Sequence, residues 1–280
     1  MTFILATGAA AGCAICNGVA AVLQKISADR ERAAATLELS LLWRLIHETP
    51  YAIGTALDVM AGIFVLIAVH SLPLFLVQSI VASGIVVTFI IEHYITHQRA
   101  PYRLYIAIGM VLAGLIVLSA TAAPQTARPV SDTIRWSIVF APFPLALIGA
   151  LCSRVSGKIG TASLAVVSGI AFGGTSVAGR ILLFTPPLWH IVENPLLYAF
   201  IAYGGLGLLL FSIGLQRASA TALNTMMTAS QTIVPALVGI LCFGDAVRHG
   251  MWFLGIAGVT ITLIGTIIVS IVTQHIDLAD

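Results

Sequence analysis

Residues 168–180 read S-G-I-A-F-G-G-T-S-V-A-G-R, and the spacing of their small residues occurs a second time in the chain. Gly169, Ala171, Gly173 and Gly179 stand at the same mutual separations as Gly8, Ala10, Gly12 and Gly18. Both sets lie in long apolar runs followed by a basic residue, Arg180 in one and Lys25 in the other. Small residues four apart let helix backbones approach closely inside a membrane. A chain rich in glycine and alanine also produces such coincidences by accident, so the surrounding sequence has to decide between design and chance.

Composition decides the class. Of 280 residues 59% are hydrophobic and only 9% charged, and the mean hydropathy is +1.04. A soluble domain carries about 25% charge to solvate its shell; here there is charge enough only for loops. The apolar runs are continuous instead of alternating, which predicts spanning helices and not a barrel. The fold class is therefore an all-α polytopic membrane protein. The start, Met1-Thr-Phe-Ile-Leu, has no basic stretch of the secretory kind, so the first apolar run is expected to remain as a span.

With roughly 20 residues per crossing, nine spans are predicted, at about 2–23, 51–70, 73–95, 103–122, 134–152, 161–183, 196–216, 219–243 and 250–273. The fifth contains Pro142 and Pro144 and is expected to be kinked. Segment 29–49 carries Leu37, Leu41 and Leu45 on one face with Glu38, Arg44 and Glu48 interrupting, the pattern of an amphipathic stretch lying in the interface. This gives a first transmembrane repeat over 1–122 that includes the cytoplasmic segment 29–49, then a linker and central helix over 123–160, then a second repeat over 161–280.

Basic residues fix the expected orientation. Nine spans put Lys25, Arg30, Arg32, Arg44, Arg99, Arg103, Arg154, Lys158 and Arg217 on one side, most of the 13 in the chain. Reading 37–52 as a tenth span weakens that asymmetry. The positive-inside rule then sets the N-terminus outside and the C-terminus in the cytoplasm of a cell-membrane protein, with Trp136, Trp189 and Trp252 at the outer interface. The glycine-rich first and sixth spans lie five crossings apart, hence in opposite orientation, and the expectation is two inverted repeats plus a linking helix. Alternating access is the function such a frame serves.

The chain resembles the drug/metabolite transporter superfamily, in its EamA-like group. The resemblance is carried by S-G-I-A-F-G-G-T-S-V-A-G-R at 168–180 and by A-S-A-T-A-L-N-T-M-M-T-A-S-Q-T-I-V-P-A-L-V-G-I-L-C-F-G-D at 218–245, in which Pro235, Gly244 and Asp245 match a mid-span proline and a terminal glycine and acid. The spaced glycines of 250–269 match the helix that follows. The likeness extends over most of the chain and is diffuse. P-L-F-L-V-Q at 73–78 is also similar to the third span of NIPA-like magnesium transporters, but the acid of their preceding helix falls at Gly62 here, with Asp58 one turn earlier. The resemblance implies a membrane transporter of a small organic solute, metabolite or drug, with magnesium transport as the alternative.

Among the residues themselves Asp58 stands out. It falls near the centre of the second span, where a charge costs roughly 2.5–3.5 kcal/mol on insertion scales. Gly54 and Gly62, a turn away on each side, predict a narrow inward face. A carboxyl group there can bind a cation or exchange a proton, because a low-dielectric setting favours its neutral form; it can equally be a structural acid holding two helices together. Neutral polar groups at similar depth are Asn17, Ser83, Thr175, Ser176, Asn224 and Gln231, with Asn224, Thr228 and Gln231 sharing one helix face. Each can line a substrate path or join helices by a hydrogen bond of about 0.6 kcal/mol.

The expected partners are thus a small-molecule solute, the lipid bilayer and protons; a homodimer is one oligomeric arrangement left open. No nucleic-acid module and no cofactor site is read. No Gly-Lys-Ser/Thr exists for ATP, and no nucleophile–base pair suggests an enzyme. Cys13 and Cys16 form a lone C-x-x-C on one helix, better suited to packing than to a metal. Glu92, His93 and His97 form E-H-x-x-x-H near a predicted helix end, where solvated side chains are ordinary. A non-transporting membrane scaffold remains the further alternative.

Overall fold

The computed structural model describes residues 2–30, 39–71, 80–81, 83–96, 101–121, 131–183, 193–242, 248 and 250–276. Those residues are helical apart from short connections, and no strand occurs among them. The helices are α1 (Thr2–Arg30), α2 (Leu39–His47), α3 (Thr49–Ser71), α4 (Gly84–Thr96), α5 (Tyr102–Thr121), α6 (Asp132–Phe140), α7 (Pro142–Arg154), α8 (Gly157–Leu183), α9 (Pro195–Leu215), α10 (Ala220–Cys242) and α11 (Trp252–Ile276). Several features singled out in the sequence lie outside the described residues, among them 73–78, most of the linker, Trp189, His97, Gly244 and Asp245.

Five stretches of the described residues are long and apolar enough to cross a membrane: Ile4–Arg30, Asp132–Arg154, Gly157–Gly179, Pro195–Leu215 and Trp252–Val269. The chain is a helical membrane protein. Large apolar side chains point outward along its helices, Ile4 at 77% exposure and Phe143 at 73% among them; water would not tolerate such a surface, and lipid does.

The helix ends show how sequence becomes boundary. Asn194 accepts from the Leu196 amide at 3.1 Å and Pro195 takes the first helical position of α9, a side-chain cap followed by a residue with no amide to satisfy. Ser219 caps α10 by accepting from the Ala222 amide at 3.2 Å. Gly157 has φ +77°, a left-handed conformation that a side chain resists, and it turns the chain from α7 into α8 after only Val155 and Ser156. The fifth span, expected to be kinked, is interrupted at Ala141 between α6 and α7, where Pro142 has no N–H to continue the ladder.

One boundary differs from expectation. The first span was placed at 2–23 because its apolar run stops there, yet α1 continues to Arg30. Gln24 and Ser27 are almost wholly buried, and Lys25 donates to the Leu215 carbonyl at the end of α9 at 2.7 Å. Gln24 and Lys25 stay helical here because α3 and α9 supply their partners, whereas the Ser27 hydroxyl is buried with no partner among the described residues. The amphipathic stretch contains α2, with Leu45 fully buried against α3 and α9 and Trp43 70% exposed.

Packing follows one pattern on both sides of the central helices. In the first half α1 lies antiparallel against α3 and also contacts α4; in the second, α8 lies antiparallel against α9 and also contacts α10. A glycine of the leading helix faces an aromatic ring each time, Gly12 with Phe64 and Gly174 with Tyr203. Helices α5 and α11 cross reciprocally. A Cβ on Gly114 would lie 2.7 Å from the Gly258 carbonyl and against Thr262, and one on Gly265 would lie 3.0 Å from the Ala107 carbonyl and against Val111. Residues 107, 111 and 114 thus exchange places with 258, 262 and 265, each pair offset by about 151 positions, the same rotation seen from either helix.

Candidate functional site

Asp58 sits on the face of α3 that meets α1. Its Oδ2 accepts from Gln24 Nε2 at 2.7 Å, and Gln24 is only 1% exposed. Beside Asp58 on α3, Leu57 and Ala61 pack with Cys13 and Cys16 of α1. Gly54, one turn before Asp58, lets α1 in: a Cβ there would lie 3.0 Å from the Ala20 carbonyl and from Gln24 Cγ. Gly62, one turn after, meets no described atom within 4 Å and is exposed. The expectation of a narrow inward face on both sides of Asp58 therefore holds only towards Gly54, because α3 and α1 press together on one side of the acid and not on the other. Asp58 itself remains partly accessible.

This arrangement suits a carboxyl group that changes state. Among the described residues no cation forms an ion pair with Asp58, and its bonded partner is a neutral amide. A neutral amide can hold an ionised carboxylate by donating, or turn to accept from a protonated one. Two turns earlier on the same face, the Tyr51 hydroxyl meets Ser212 Oγ of α9 at 2.8 Å, with Tyr51 fully buried. The Asp58 face of α3 is therefore tied to α1 on one flank and to α9 on the other.

A second polar group lies between α1, α4 and α10. Asn224 Nδ2 donates to Thr88 Oγ1 at 2.8 Å, and the Thr88 hydroxyl lies 3.3 Å from the Gly18 carbonyl and 3.1 Å from the Gly84 carbonyl. Thr228 donates to Asn224 Oδ1 at 3.4 Å, as their shared face requires. Asn224 is thereby a helix-to-helix fastener, and its partner Thr88 had no mark in the sequence beyond being one threonine in an apolar run.

The remaining predicted residues do not converge on Asp58. Asn17 donates to Cys13 Sγ of its own helix at 3.5 Å. Thr175 and Ser176 donate back to Ala171 and Phe172 at 3.3 and 3.4 Å, and Ser83 to Ile80 at 2.5 Å, the local bonding that lets a hydroxyl sit in an apolar helix. Gln231 is partly buried on α10, near the close contact of Gly169 with Ser230 and Met227. Asp58 and Asn224 thus belong to two interfaces that share α1.

The charged residues at helix ends have partners that the sequence did not announce. Glu92 of α4 accepts from the Ala220 and Thr221 amides, each at 2.6 Å, so one carboxylate covers the N-terminus of α10. That is where a negative charge meets unsatisfied amides and the positive end of the helix dipole. Arg217 donates to the Ser153 and Val155 carbonyls at 2.7 and 3.0 Å, closing the C-terminal end of α7. In the sequence Glu92 read as one member of E-H-x-x-x-H at a solvated helix end; the signal to follow was an acid near one helix end and a serine-capped helix start, Ser219, elsewhere in the chain. Among the described residues no three His, Cys, Asp or Glu side chains gather in a way that could hold a metal ion.

No protein-family model matches the chain, and no curated protein or solved structure matches it.

Proposed function

We propose that the protein is a secondary transporter that moves a small organic solute across the cell membrane by alternating access, with Asp58 as the group that takes up and releases a proton or a cationic substrate. The observation that carries this reading is an acid midway along a membrane-length helix, bonded to a buried neutral amide, with no basic partner among the described residues. Ionisable groups are costly in a bilayer, and those that persist there mark transport paths and proton relays.

The two-repeat frame is part of the same proposal. Its support is the parallel packing of α1 on α3 and α4 with that of α8 on α9 and α10, and the reciprocal crossing of α5 and α11. In this reading α3, α4, α5 and α10 complete nine spans with the five long apolar stretches, α2 lies at the cytoplasmic interface, and the end bearing Lys25, Glu92, Arg154 and Arg217 faces the cytoplasm. The diffuse likeness to drug/metabolite transporters agrees with that frame. An organic solute is preferred to magnesium because the neighbours of Asp58 are an amide, thiols and glycine, whereas magnesium takes several oxygen ligands.

The test is flux in reconstituted vesicles that enclose a pH-sensitive dye. Addition of amino acids, nucleosides or organic cations to the outside is expected to move protons for at least one class. Asp58→Asn, which keeps an acceptor for Gln24, is expected to insert and fold yet abolish that proton movement. Proton movement undiminished in Asp58→Asn would remove Asp58 from the mechanism.

A further inference from the structure

We infer that the corner between α7 and α8 is a binding site for an anionic phospholipid, whose phosphate is held by Arg154 and Lys158 and whose acyl chain lies along the outward face of α7. The site does not depend on the transport reading; it requires only a helical protein in a bilayer. Two independent observations carry it.

The first is a pair of cations with no acid to balance them. Arg154 ends α7 and Lys158 is the second residue of α8, with only Val155, Ser156 and Gly157 between. Gly157 turns the chain there, so both cations stand on one corner of the molecule. Both are exposed, and neither forms an ion pair among the described residues. The acids described at the same end are engaged: Asp29 with Lys25 at 2.6 Å, Glu48 with Arg30 at 4.0 Å, and Glu92 with the α10 amides. No acid occurs in the sequence between Asp132 and Glu193. Carbonyls ending a helix repel an anion, but here Arg217 donates to those of Ser153 and Val155.

The second observation is the surface that leads into this pair. Asp132–Arg154 is long and apolar enough to cross a membrane. Phe143, Leu147 and Leu151 lie four apart and share one face of α7, and all three are exposed, Leu147 at 64% and Leu151 at 56%. Arg154 and Val155, three and four positions after Leu151, continue that face to the basic end. Ile159, next to Lys158, is 78% exposed. An apolar stripe running into two cations matches a phospholipid, with chain along the helix and phosphate at its end. A soluble phosphate would use the cations and leave the stripe bare. A single long basic side chain reaches the headgroup level by itself; the tight turn instead offers one phosphate two partners.

Lipid retention decides the matter, measured by native mass spectrometry on protein titrated in detergent with phosphatidylglycerol or with phosphatidylcholine of the same chains. A cation beside an anionic headgroup is worth about fivefold in affinity. The wild type is therefore expected to prefer phosphatidylglycerol by about 25-fold, two such cations acting together. Arg154→Gln combined with Lys158→Gln is expected to abolish the preference and leave phosphatidylcholine retention unchanged. Arg103→Gln, which removes an exposed cation from the start of α5 at the same end, is expected to keep it. If the double variant does not fold, Lys158→Gln alone decides, with an expected loss of about fivefold. No preference in the wild type, an unchanged preference in the cation variants, or an equal loss in Arg103→Gln overturns the site. Displacement of bound phosphatidylglycerol by an equal concentration of inorganic phosphate also overturns it, since the chain would then contribute nothing.

Discussion

Gln24 and Asp58 are each expensive to bury alone and acceptable together. The Gln24 amide is almost wholly inside the protein, and among the described residues its bonded partner is the Asp58 carboxyl. Gln24→Leu is expected to leave that carboxyl without its donor and to cost about 1–3 kcal/mol, read as a lower midpoint of thermal unfolding in detergent. Asp58→Asn is expected to cost less, since an amide oxygen still accepts from Gln24. Tyr51→Phe removes only the bond to Ser212 and is expected to lose about 0.6 kcal/mol, the usual worth of such a bond in a membrane. Asp58 was legible in the sequence because a charge inside an apolar run is conspicuous. Gln24 was not, since a polar residue at the end of an apolar run reads as the end of the helix. What separates the two cases is the partner, and the partner lies 34 positions away.

At the scale of the element, the glycine seam makes a controlled comparison within the chain. A methyl group on Gly169 would run into Ser230 and the Met227 carbonyl, backbone that cannot step aside, while one on Gly8 meets no described atom. Gly169→Ala is therefore expected to destabilise by about 1–3 kcal/mol, the usual cost of overpacking, and Gly8→Ala to be neutral or slightly favourable through helix propensity. Equal effects of the two would contradict the close approach of α8 to α10. The sequence announced that both segments pack closely. It did not show that Gly169 meets Ser230 and the Met227 carbonyl of α10, because spacing records what a helix can approach and not which neighbour it meets. Hydroxyls posed the same difficulty. Thr175 and Ser176 could line a path or join helices as read from the sequence, and both donate to carbonyls of their own helix. By contrast the interruption at Ala141 followed directly from Pro142, a constraint that needs no partner.

For the whole molecule, an all-helical membrane architecture followed from charge content and continuous apolar runs alone, since a bilayer admits few alternatives. The arrangement of the halves needed coordinates: the reciprocal seating of Gly114 and Gly265 is a relation between helices that no single run encodes. Orientation is a separate question with its own check. Labelling of single cysteines in intact cells by an impermeant reagent is expected to reach Asp132→Cys at the start of α6 and to spare Lys158→Cys at the start of α8; the reverse pattern would invert the proposed topology. The central claim is that Asp58 couples solute to proton movement, and the most direct measurement is proton flux in vesicles containing the wild-type protein or Asp58→Asn, driven by an imposed solute gradient. The account predicts proton movement with the wild type and none with the folded Asp58→Asn variant at equal incorporation. Equal proton movement in the two, or none in either for every solute class tried, would contradict it.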